Sequence, residues 1–383
     1  MLKAFKYRLY PTQKQQASLQ ATLDLCRELY NAALQERRDA YRMAGKSITY
    51  SDQANQLPDI KQIREEYQGV YSQVLQDVLR KADKAFKAFF GRCKRGEAPG
   101  YPRYKGRGHS ESFTYPQVGF SLTHDSRVCL SKIGSIKVKI HRPIQGKRKT
   151  CTIKREGDHW FVVFACEVEV APLPACDEVV GIDLGLLHFA TLSDGRTIEN
   201  PRYYRKAQKE LKKHQQALAR KKRGSHRRHK AVKLVTKAHR KVRNQRQDFL
   251  HKASRTLVNT YGTIVFEELQ PVNMSKRPKP KQDETGKYLP NGASAKGGLN
   301  KSILDAGWGQ FQQYCVSKAA NAGRHVLFVN PKYTSQVCSG CGTLKKKDLS
   351  ERWHSCECGI ELDRDHNAAL NILRLGRSRQ TSD

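Results

Sequence analysis

The distribution of apolar and polar residues predicts two parts with different architectures. Residues 2–10 alternate between apolar and polar side chains, which is typical of a strand. Thr12 and Gln15 then form a capping-box pattern, and apolar residues recur at helical spacing through residue 96, which predicts a group of helices. Alternation returns from Phe113 to Val170. We therefore predict a small β-barrel that includes the first strand and carries the helices as an insertion.

The C-terminal part alternates short apolar segments with helical periodicity. Strands are predicted at residues 179–183, 187–192, 263–267 and 326–330. Helices are predicted at 205–246, with a break at Gly224-Ser225, and at 248–261, 302–322 and about 367–375. Residues 276–299 predict a mobile loop, and the tail from about Gly376 is expected to be disordered. The order of these elements predicts an α/β multi-domain protein.

The net charge indicates a polyanionic partner. The 383 residues include 71 Lys or Arg and 36 Asp or Glu, which gives +35 at pH 7. The helix 205–246 alone has 18 basic residues and one acid, Glu210. Charge clustered in this way favours binding to nucleic-acid phosphates over a merely soluble basic surface or a solvated helix. The candidate contact residues are Lys3, Tyr50, Gln76, Arg103, Lys105, Arg227, Arg228, Arg240, Arg243 and Arg246. Tyr50, Gln73 and Gln76 are candidates for reading base edges, the alternative being ordinary exposed polar residues.

The sequence gives no indication of a membrane or secreted protein. No stretch approaches the roughly 18 apolar residues of a membrane span, and the first residues lack the apolar core of a signal peptide. The eleven cysteines are an odd number, which suits a reducing compartment better than a disulfide scaffold. We therefore expect a cytoplasmic location and no membrane partner.

Four of the cysteines predict a structural zinc site. Cys338 and Cys341 form a C-x2-C pair, and Cys356 and Cys358 form a tighter C-x-C pair 14 residues further on. Two thiolate pairs on turns, brought together by a short hairpin, satisfy tetrahedral Zn²⁺ and leave no open position for a substrate. Replacement of one cysteine by His354 and a disulfide pair are the alternatives.

Three widely spaced acids predict a catalytic site for two Mg²⁺ ions. Asp183 and Glu267 each end a predicted strand, and Asp365 lies near the start of the last predicted helix. Hydrolysis of a phosphodiester by two metals needs carboxylates that hold both ions about 4 Å apart. Each acid alone has a simpler interpretation, with Asp183 as a turn residue and Asp365 as a helix cap. Neighbouring acids that compete for these roles are Glu268, Glu361 and Asp363.

Several segments along the chain resemble the TnpB family of transposon-encoded, RNA-guided DNA endonucleases. The similarity rests on Phe5-Lys-Tyr-Arg-Leu-Tyr-Pro-Thr12, Gly181-Ile-Asp-Leu-Gly185, Arg246-Gln-Asp-Phe-Leu-His-Lys252, Glu267-Glu-Leu, Asp305-Ala-Gly-Trp-Gly309, Cys338-Ser-Gly-Cys341 and Asp363-Arg-Asp-His-Asn-Ala-Ala369. The resemblance implies a RuvC nuclease domain of RNase H-like fold whose acids match Asp183, Glu267 and Asp365. It also implies a wedge β-barrel, a helical recognition lobe and a zinc-ribbon target-loading insert.

The resemblance also implies boundaries and partners. The expected domains are the first wedge strand (1–10), the helical lobe (11–106), the rest of the wedge (107–175), the nuclease domain (176–334, with basic helices at 203–246), the zinc insert (335–360), the last nuclease motif (361–375) and the tail (376–383). The expected activity is cleavage of double-stranded DNA beside a short flanking motif, directed by a guide RNA from the transposon right end and carried out by a monomer with one RNA in the cytoplasm of a bacterium or archaeon. A regulator of transposition that binds without cutting and a transposase that joins DNA ends are the alternatives.

Overall fold

The computed structural model describes residues 1–106, 111–348 and 351–380 and divides the chain into two units, Met1–Glu169 and Val170–Asp383. Residues 107–110, two positions of the cysteine hairpin at 349–350 and the last three residues of the predicted tail at 381–383 lie outside the described residues.

The first unit is an antiparallel sheet with a group of helices. Its strands are β1 (Leu2–Tyr10), β2 (Ser112–Tyr115), β3 (Phe120–Leu122), β4 (Arg127–Leu130), β5 (Gly134–Lys139), β6 (Lys147–Glu156) and β7 (His159–Glu167). Its helices are α1 (Gln13–Ala44), α2 (Tyr50–Asn55), α3 (Leu57–Ile63) and α4 (Ser72–Lys94), with a 3-10 turn at Glu65–Gly69. Two short helices and this turn therefore lie between α1 and α4, at residues 50–69.

The first strand lies inside the sheet, as predicted. The strand order is β2-β6-β7-β1-β5-β4-β3, and β1 pairs with both β5 and β7. Its alternating residues Phe5, Tyr7 and Leu9 are buried in the same core as Leu19 of α1 and Leu75 of α4. The four helices follow β1 in the chain and precede β2, so they are an insertion between two strands of one sheet. This order runs from β2 at one edge to β3 at the other, and closure into a barrel stays a prediction.

The second unit is built on a five-stranded mixed sheet. The strands of this unit, in the sheet and outside it, are β8 (Val179–Asp183), β9 (His188–Leu192), β10 (Thr197–Glu199), β11 (Thr263–Glu267), β12 (Lys281–Gln282), β13 (Tyr288–Leu289), β14 (His325–Val329), β15 (Trp353–Ser355) and β16 (Glu361–Asp363). The sheet has the order β10-β9-β8-β11-β14, with β9 antiparallel to β8 and to β10, and with β11 parallel to β8 and to β14. Two separate hairpins pair β12 with β13 and β15 with β16.

The helices of the second unit differ from the prediction in several places. They are α5 (Tyr203–Ala219), α6 (His226–Thr260), α7 (Pro271–Met274), α8 (Ala293–Ala306), α9 (Trp308–Ala322) and α10 (Arg364–Gln380). The break near Gly224 is confirmed, but a second break at residue 247 was wrong because α6 continues to Thr260. The predicted helix 302–322 is two helices that meet at Gly307. The predicted mobile loop 276–299 contains the short β12–β13 hairpin, and its last residues, 293–299, belong to α8. The loop prediction is therefore wrong for residues 293–299, and the mobility of the rest stays a prediction.

The last helix is longer than predicted at both ends. It begins at Arg364 rather than about 367, and it continues through Gly376 to Gln380, so the disorder expected from residue 376 is wrong for the described part of the tail. This helix crosses close to β8. A Cβ atom on Gly181 would lie 2.3 Å from the backbone oxygen of Ala369, so only glycine permits this approach. The start of α10 is thereby held against the strand that ends in Asp183.

Candidate catalytic and metal-binding sites

Two of the three predicted acids end neighbouring parallel strands. Asp183 is the last residue of β8 and Glu267 is the last residue of β11. The register pairs Ile182 with Phe266, so the two acids follow this pair at the same edge of the sheet. Carboxyl ends of parallel strands are where α/β proteins commonly bind ligands. The structure therefore brings together two carboxylates that are 84 positions apart in the sequence.

The buried glutamate is Glu267 rather than its neighbour. Glu267 is 8% exposed, whereas Glu268 is exposed, as expected for consecutive residues that leave a strand in opposite directions. The Thr334 hydroxyl donates a hydrogen bond to Glu267 Oε1. The Gln312 side chain donates to the Glu267 backbone oxygen at 3.0 Å. Of the two neighbouring glutamates, Glu267 is therefore the one that is held in place by these hydrogen bonds.

The third acid, Asp365, lies in the first turn of α10, and a different acid caps this helix. Asp363 Oδ1 accepts hydrogen bonds from the backbone N–H groups of Asp365 at 2.8 Å and His366 at 3.3 Å. The interpretation of Asp365 as the helix cap is therefore wrong, and the competing acid Asp363 has that structural role. Asp365 Oδ2 would lie 3.7 Å from a Cβ atom placed on Gly185, in the turn that follows β8. Asp365 therefore lies over the end of the strand that carries Asp183.

Both of the other acids repel Asp183. Burial, followed by the charges of Glu267 and Asp365, raises the pKa of Asp183 well above its usual value. Burial and then the charge of Asp363 raise the pKa of Asp365, with Arg352 and Arg364 opposing the shift. Burial also raises the pKa of Glu267, and the hydrogen bond from Thr334 opposes it. Like charges held together in this way are typical of functional sites, and a bound cation would relieve the repulsion.

The four predicted cysteines lie together in one cluster. Cys338 Sγ is 3.6 Å from Cys358 Sγ, and Cys341 Sγ is 3.5 Å from Cys356 Sγ. Zinc–sulfur bonds of about 2.3 Å in a tetrahedron place sulfur atoms about 3.8 Å apart, close to these distances. A disulfide would need about 2.05 Å, and all four thiols are free, so that alternative is wrong. Hydrogen bonding with Thr343 lowers the pKa of the Cys341 thiol to about 6, which favours the thiolate that binds metal.

The thiols and the acids differ in how closely their ligand atoms approach. In the described ranges, the four cysteines are the group whose ligand atoms all lie within 4.8 Å of one another. The carboxylate oxygens of Asp183, Glu267 and Asp365 do not all lie within 4.8 Å of one another. His354 is also outside the cluster, so its predicted replacement of a cysteine is wrong. Its ring is fully buried and contacts the Lys347 ammonium instead.

Two asparagines that the sequence analysis missed connect α10 to the cysteine hairpin. The Asn367 amide accepts from the Ser339 N–H at 3.0 Å and donates to the Val337 oxygen at 2.8 Å, on either side of Cys338. Asn371 donates to the oxygens of Val337 at 2.7 Å and Thr334 at 2.9 Å. Asparagine is a poor residue for a helix interior, and two of them at a spacing of four are the sequence signal that could have shown these contacts.

The predicted nucleic-acid contacts in the first unit divide into exposed and engaged side chains. Arg103 is exposed. Lys105 is not a simple surface residue, because its ammonium lies 3.7 Å from the centre of the Tyr30 ring and its backbone exchanges hydrogen bonds with Asn31. Lys3, Tyr50 and Gln76 are half-buried.

The predicted contacts in the second unit are also divided. Arg227 and Arg243 are exposed, and Arg240 is half-buried. Arg228 donates to the Leu218 and Lys221 oxygens at 3.1 and 3.2 Å, so it joins the end of α5 to the start of α6. Arg246 forms an ion pair at 2.8 Å with Asp305, whose carboxylate also accepts from the Tyr204 N–H. Arg228 and Arg246 therefore have structural contacts that the sequence analysis did not foresee.

Comparison with known families assigns this chain to a class of transposon-associated proteins. Residues 163–277 match the family OrfB_IS605, described as "Probable transposase", residues 308–372 match the "Cas12f1-like, TNB domain", and residues 1–46 match the "Helix-turn-helix domain" HTH_OrfB_IS605. The chain belongs to the TnpB family, as the sequence motifs predicted. Within residues 1–46 the structure has one strand and one long helix.

Relatives of similar length support the family assignment over the whole chain. A protein of Escherichia coli (strain K12) named "Putative RNA-guided DNA endonuclease InsQ" is 33% identical, over 98% of this chain and 93% of its own length. A Streptomyces pristinaespiralis protein named "Putative RNA-guided DNA endonuclease" is 34% identical, over 98% and 89%. A cryo-EM structure of a Cas12f1–sgRNA–target DNA complex has a similar fold, with a TM-score of 0.55, 13% identity and coverage of 97% and 98%. In the described ranges, every helix is too short or too polar to cross a membrane.

Proposed function

We propose that this protein is an RNA-guided endonuclease that cleaves double-stranded DNA. One observation carries the proposal: buried Glu267 and half-buried Asp183 and Asp365 come together from β11, β8 and α10, and both other acids repel Asp183, in a chain of net charge +35. An acidic site repels a nucleic acid unless cations lie between them. Relatives matched over nearly the whole chain bear names of RNA-guided DNA endonucleases, which supports the same activity here.

The acids fit the ligands that Mg²⁺ prefers. Mg²⁺ binds carboxylate oxygens and keeps several of its waters, so it can use acids that are not in direct contact with one another. Both Glu267 and Asp365 raise the pKa of Asp183, so the charges of all three acids would be neutralised together by bound cations. Asp183, Glu267 and Asp365 would together hold the two Mg²⁺ ions.

Neighbouring residues position the carboxylates of Glu267 and Asp365 and oppose the rise in their pKa values. When bound, two Mg²⁺ ions activate a water and stabilise the leaving oxygen. Thr334 donates to Glu267, Asp363 fixes the first turn of α10 and thereby Asp365, and Arg364 and Arg352 favour the ionised form of Asp365. These contacts keep the Glu267 and Asp365 carboxylates in place before substrate arrives, which is the protein's part in catalysis by metals.

The architecture of the second unit supports an RNase H-like (RuvC) nuclease domain. Three consecutive strands are antiparallel neighbours, and two later strands add in parallel on the other side of β8. The four-thiol hairpin would bind one structural Zn²⁺, and we assign it to the target-loading insert. In the first unit, the inserted helices and the sheet would serve as recognition lobe and wedge domain for the guide RNA. The protein would act as a monomer with one RNA.

Cleavage of a plasmid library with one fixed target and a randomised flank tests the proposal. The protein would be co-expressed with an RNA from its native transposon end, reprogrammed to that target, in the presence of Mg²⁺. We expect guide-dependent cuts beside one enriched flank, and we expect Asp183→Ala to abolish them while RNA binding persists. Asp177→Ala is the matched control, because Asp177 is exposed just before β8.

Two outcomes would contradict the proposal. Protein that binds RNA but cuts at no flank would favour a regulator of transposition. Joined DNA ends formed without a guide would favour a transposase.

A further inference from the structure

Thr334 connects the proposed metal ligand Glu267 to the segment that carries the first cysteine. Thr334 is buried and follows β14, four residues before Cys338. Its hydroxyl lies within hydrogen-bond distance of both Glu267 Oε1 and the Pro331 oxygen, the latter at 3.2 Å. A hydroxyl has one proton, and a carboxylate is the stronger acceptor. The proton therefore belongs to the bond with Glu267.

The backbone of Thr334 is held from the other side by α10. Asn371 donates from Nδ2 to the Thr334 oxygen at 2.9 Å and to the Val337 oxygen at 2.7 Å. Asn367, one turn earlier on the same face, bonds both neighbours of Cys338. The two asparagines are 0% and 1% exposed. Their side-chain amides therefore hydrogen-bond to the backbone of residues 334–339, as a neighbouring strand would.

Packing alone does not explain why the polar side chains of Thr334, Asn367 and Asn371 are buried, because burial of a polar group costs free energy. A buried amide or hydroxyl is tolerated where its hydrogen bonds are made, and an apolar side chain of similar shape would fill the same space without that requirement. The bonds of Asn367 and Asn371 lead from α10, which carries Asp365, to residues 334–339, and the bond from Thr334 continues to Glu267. A chain of contacts therefore joins two of the proposed catalytic acids to the thiol hairpin.

We propose that Thr334, held by Asn371, is a positioning residue that fixes the Glu267 carboxylate for metal binding. The inference rests on the proposed function, because it takes Glu267 to be a ligand of a catalytic metal. The bond from Thr334 also stabilises the ionised carboxylate, since it opposes the rise in the pKa of Glu267 caused by burial. A partner that orients a ligating carboxylate typically changes metal affinity by about 10- to 100-fold when it is removed.

The test compares Thr334→Val with Thr334→Ser in the full-length protein bound to its guide RNA. The affinity for Mn²⁺ is measured by electron paramagnetic resonance, with Mn²⁺ standing in for Mg²⁺. We expect Thr334→Val, which keeps the shape but lacks the hydroxyl, to weaken binding about 10- to 100-fold. Thr334→Ser keeps the hydroxyl and should restore most of the affinity. Thr256→Val is the matched control, because the Thr256 hydroxyl donates within α6, to the Lys252 oxygen.

A further variant separates positioning from a merely structural role. Asn371→Leu should weaken Mn²⁺ binding as well, while the thiols still bind cadmium with their usual absorbance.

The outcomes are distinguishable. If the unmodified complex binds Mn²⁺ and Thr334→Val binds it equally well, the positioning role is wrong, even if that variant melts at a lower temperature. If the unmodified complex and Asp183→Ala bind Mn²⁺ alike, the proposed catalytic site itself is wrong.

Discussion

The cysteine cluster and the acidic cluster are assembled in opposite ways. The four thiols come from a segment of 21 residues, Cys338 to Cys358, and already lie at distances that suit a metal. The three acids come from β8, β11 and α10, over 183 positions from Asp183 to Asp365, and their pKa values are raised by burial and, for Asp183 and Asp365, by other acids. The thiols are brought together by one short hairpin, whereas the acids depend on the whole sheet to hold charges that repel.

Loss of the hairpin metal should give the largest effect and should stay local. We expect Cys356→Ser to prevent tetrahedral binding and to unfold residues 335–360, because structural zinc contributes about 10–16 kcal/mol to such folds. The five-stranded sheet should remain folded, since no cysteine of the cluster belongs to it. Titration with cadmium, followed by thiolate absorbance, should report four thiolates in the unmodified protein.

The control for this change is Cys93→Ser, an exposed thiol of the first unit. It should leave the cadmium stoichiometry at four. A count below four in the unmodified protein would contradict the four-thiolate site, and loss of the sheet in Cys356→Ser would contradict the local character of that site.

The two clusters also differ in how far the sequence could predict them. The cysteine pairs were found from their spacing, because ligands on one short hairpin need little information from the rest of the fold. The strand ends at Asp183 and Glu267 were predicted to the residue, because each follows an apolar run that ends in an acid. That the two strands are adjacent and parallel is a property of the sheet, and no local pattern contains it.

The errors in the last helix have a physical cause. Gly376 looked like the end of a helix, but a Cβ atom there would lie 2.4 Å from Val265 Cγ2. Glycine is therefore present so that α10 can pass close to β11, and the helix does not end. Asn367 and Asn371 were missed for a related reason: their partners are backbone groups of a segment that only the tertiary structure brings near.

Substitution of Gly181 by alanine should displace Asp365 from the other acids and leave the cysteine cluster intact. In Gly181→Ala the new Cβ meets the backbone of Ala369 at 2.3 Å, so α10 must move and carry Asp365 with it. Overpacking of this kind typically costs about 1–3 kcal/mol. We expect a lower melting temperature and a large loss of cleavage, with cadmium binding by the thiols retained.

The same substitution at Gly297 is the matched control. Gly297 lies inside α8 with open space around its Cβ position, so alanine should stabilise the helix by up to about 1 kcal/mol. Opposite signs for the two variants would support the close approach of α10 to β8. An active Gly181→Ala protein would show that Asp365 does not depend on that approach.

The repulsion among the acids should appear as a smaller, pH-dependent loss of stability without metal. A carboxylate whose folded pKa is raised favours the folded state only while protonated; that stability is present below the unfolded pKa of about 3.9 and is lost as pH rises through the folded value. Metal-free Asp183→Asn has no such charge, so at neutral pH it should melt above the unmodified protein, by about 2–4 °C for each kcal/mol of repulsion removed. The difference should shrink toward pH 4 and on addition of Mg²⁺, which binds the unmodified site. Equal melting temperatures across this range would mean that repulsion among the acids does not destabilise the fold. The acidic cluster and the cysteine cluster would then differ only in how far apart their residues lie in the sequence.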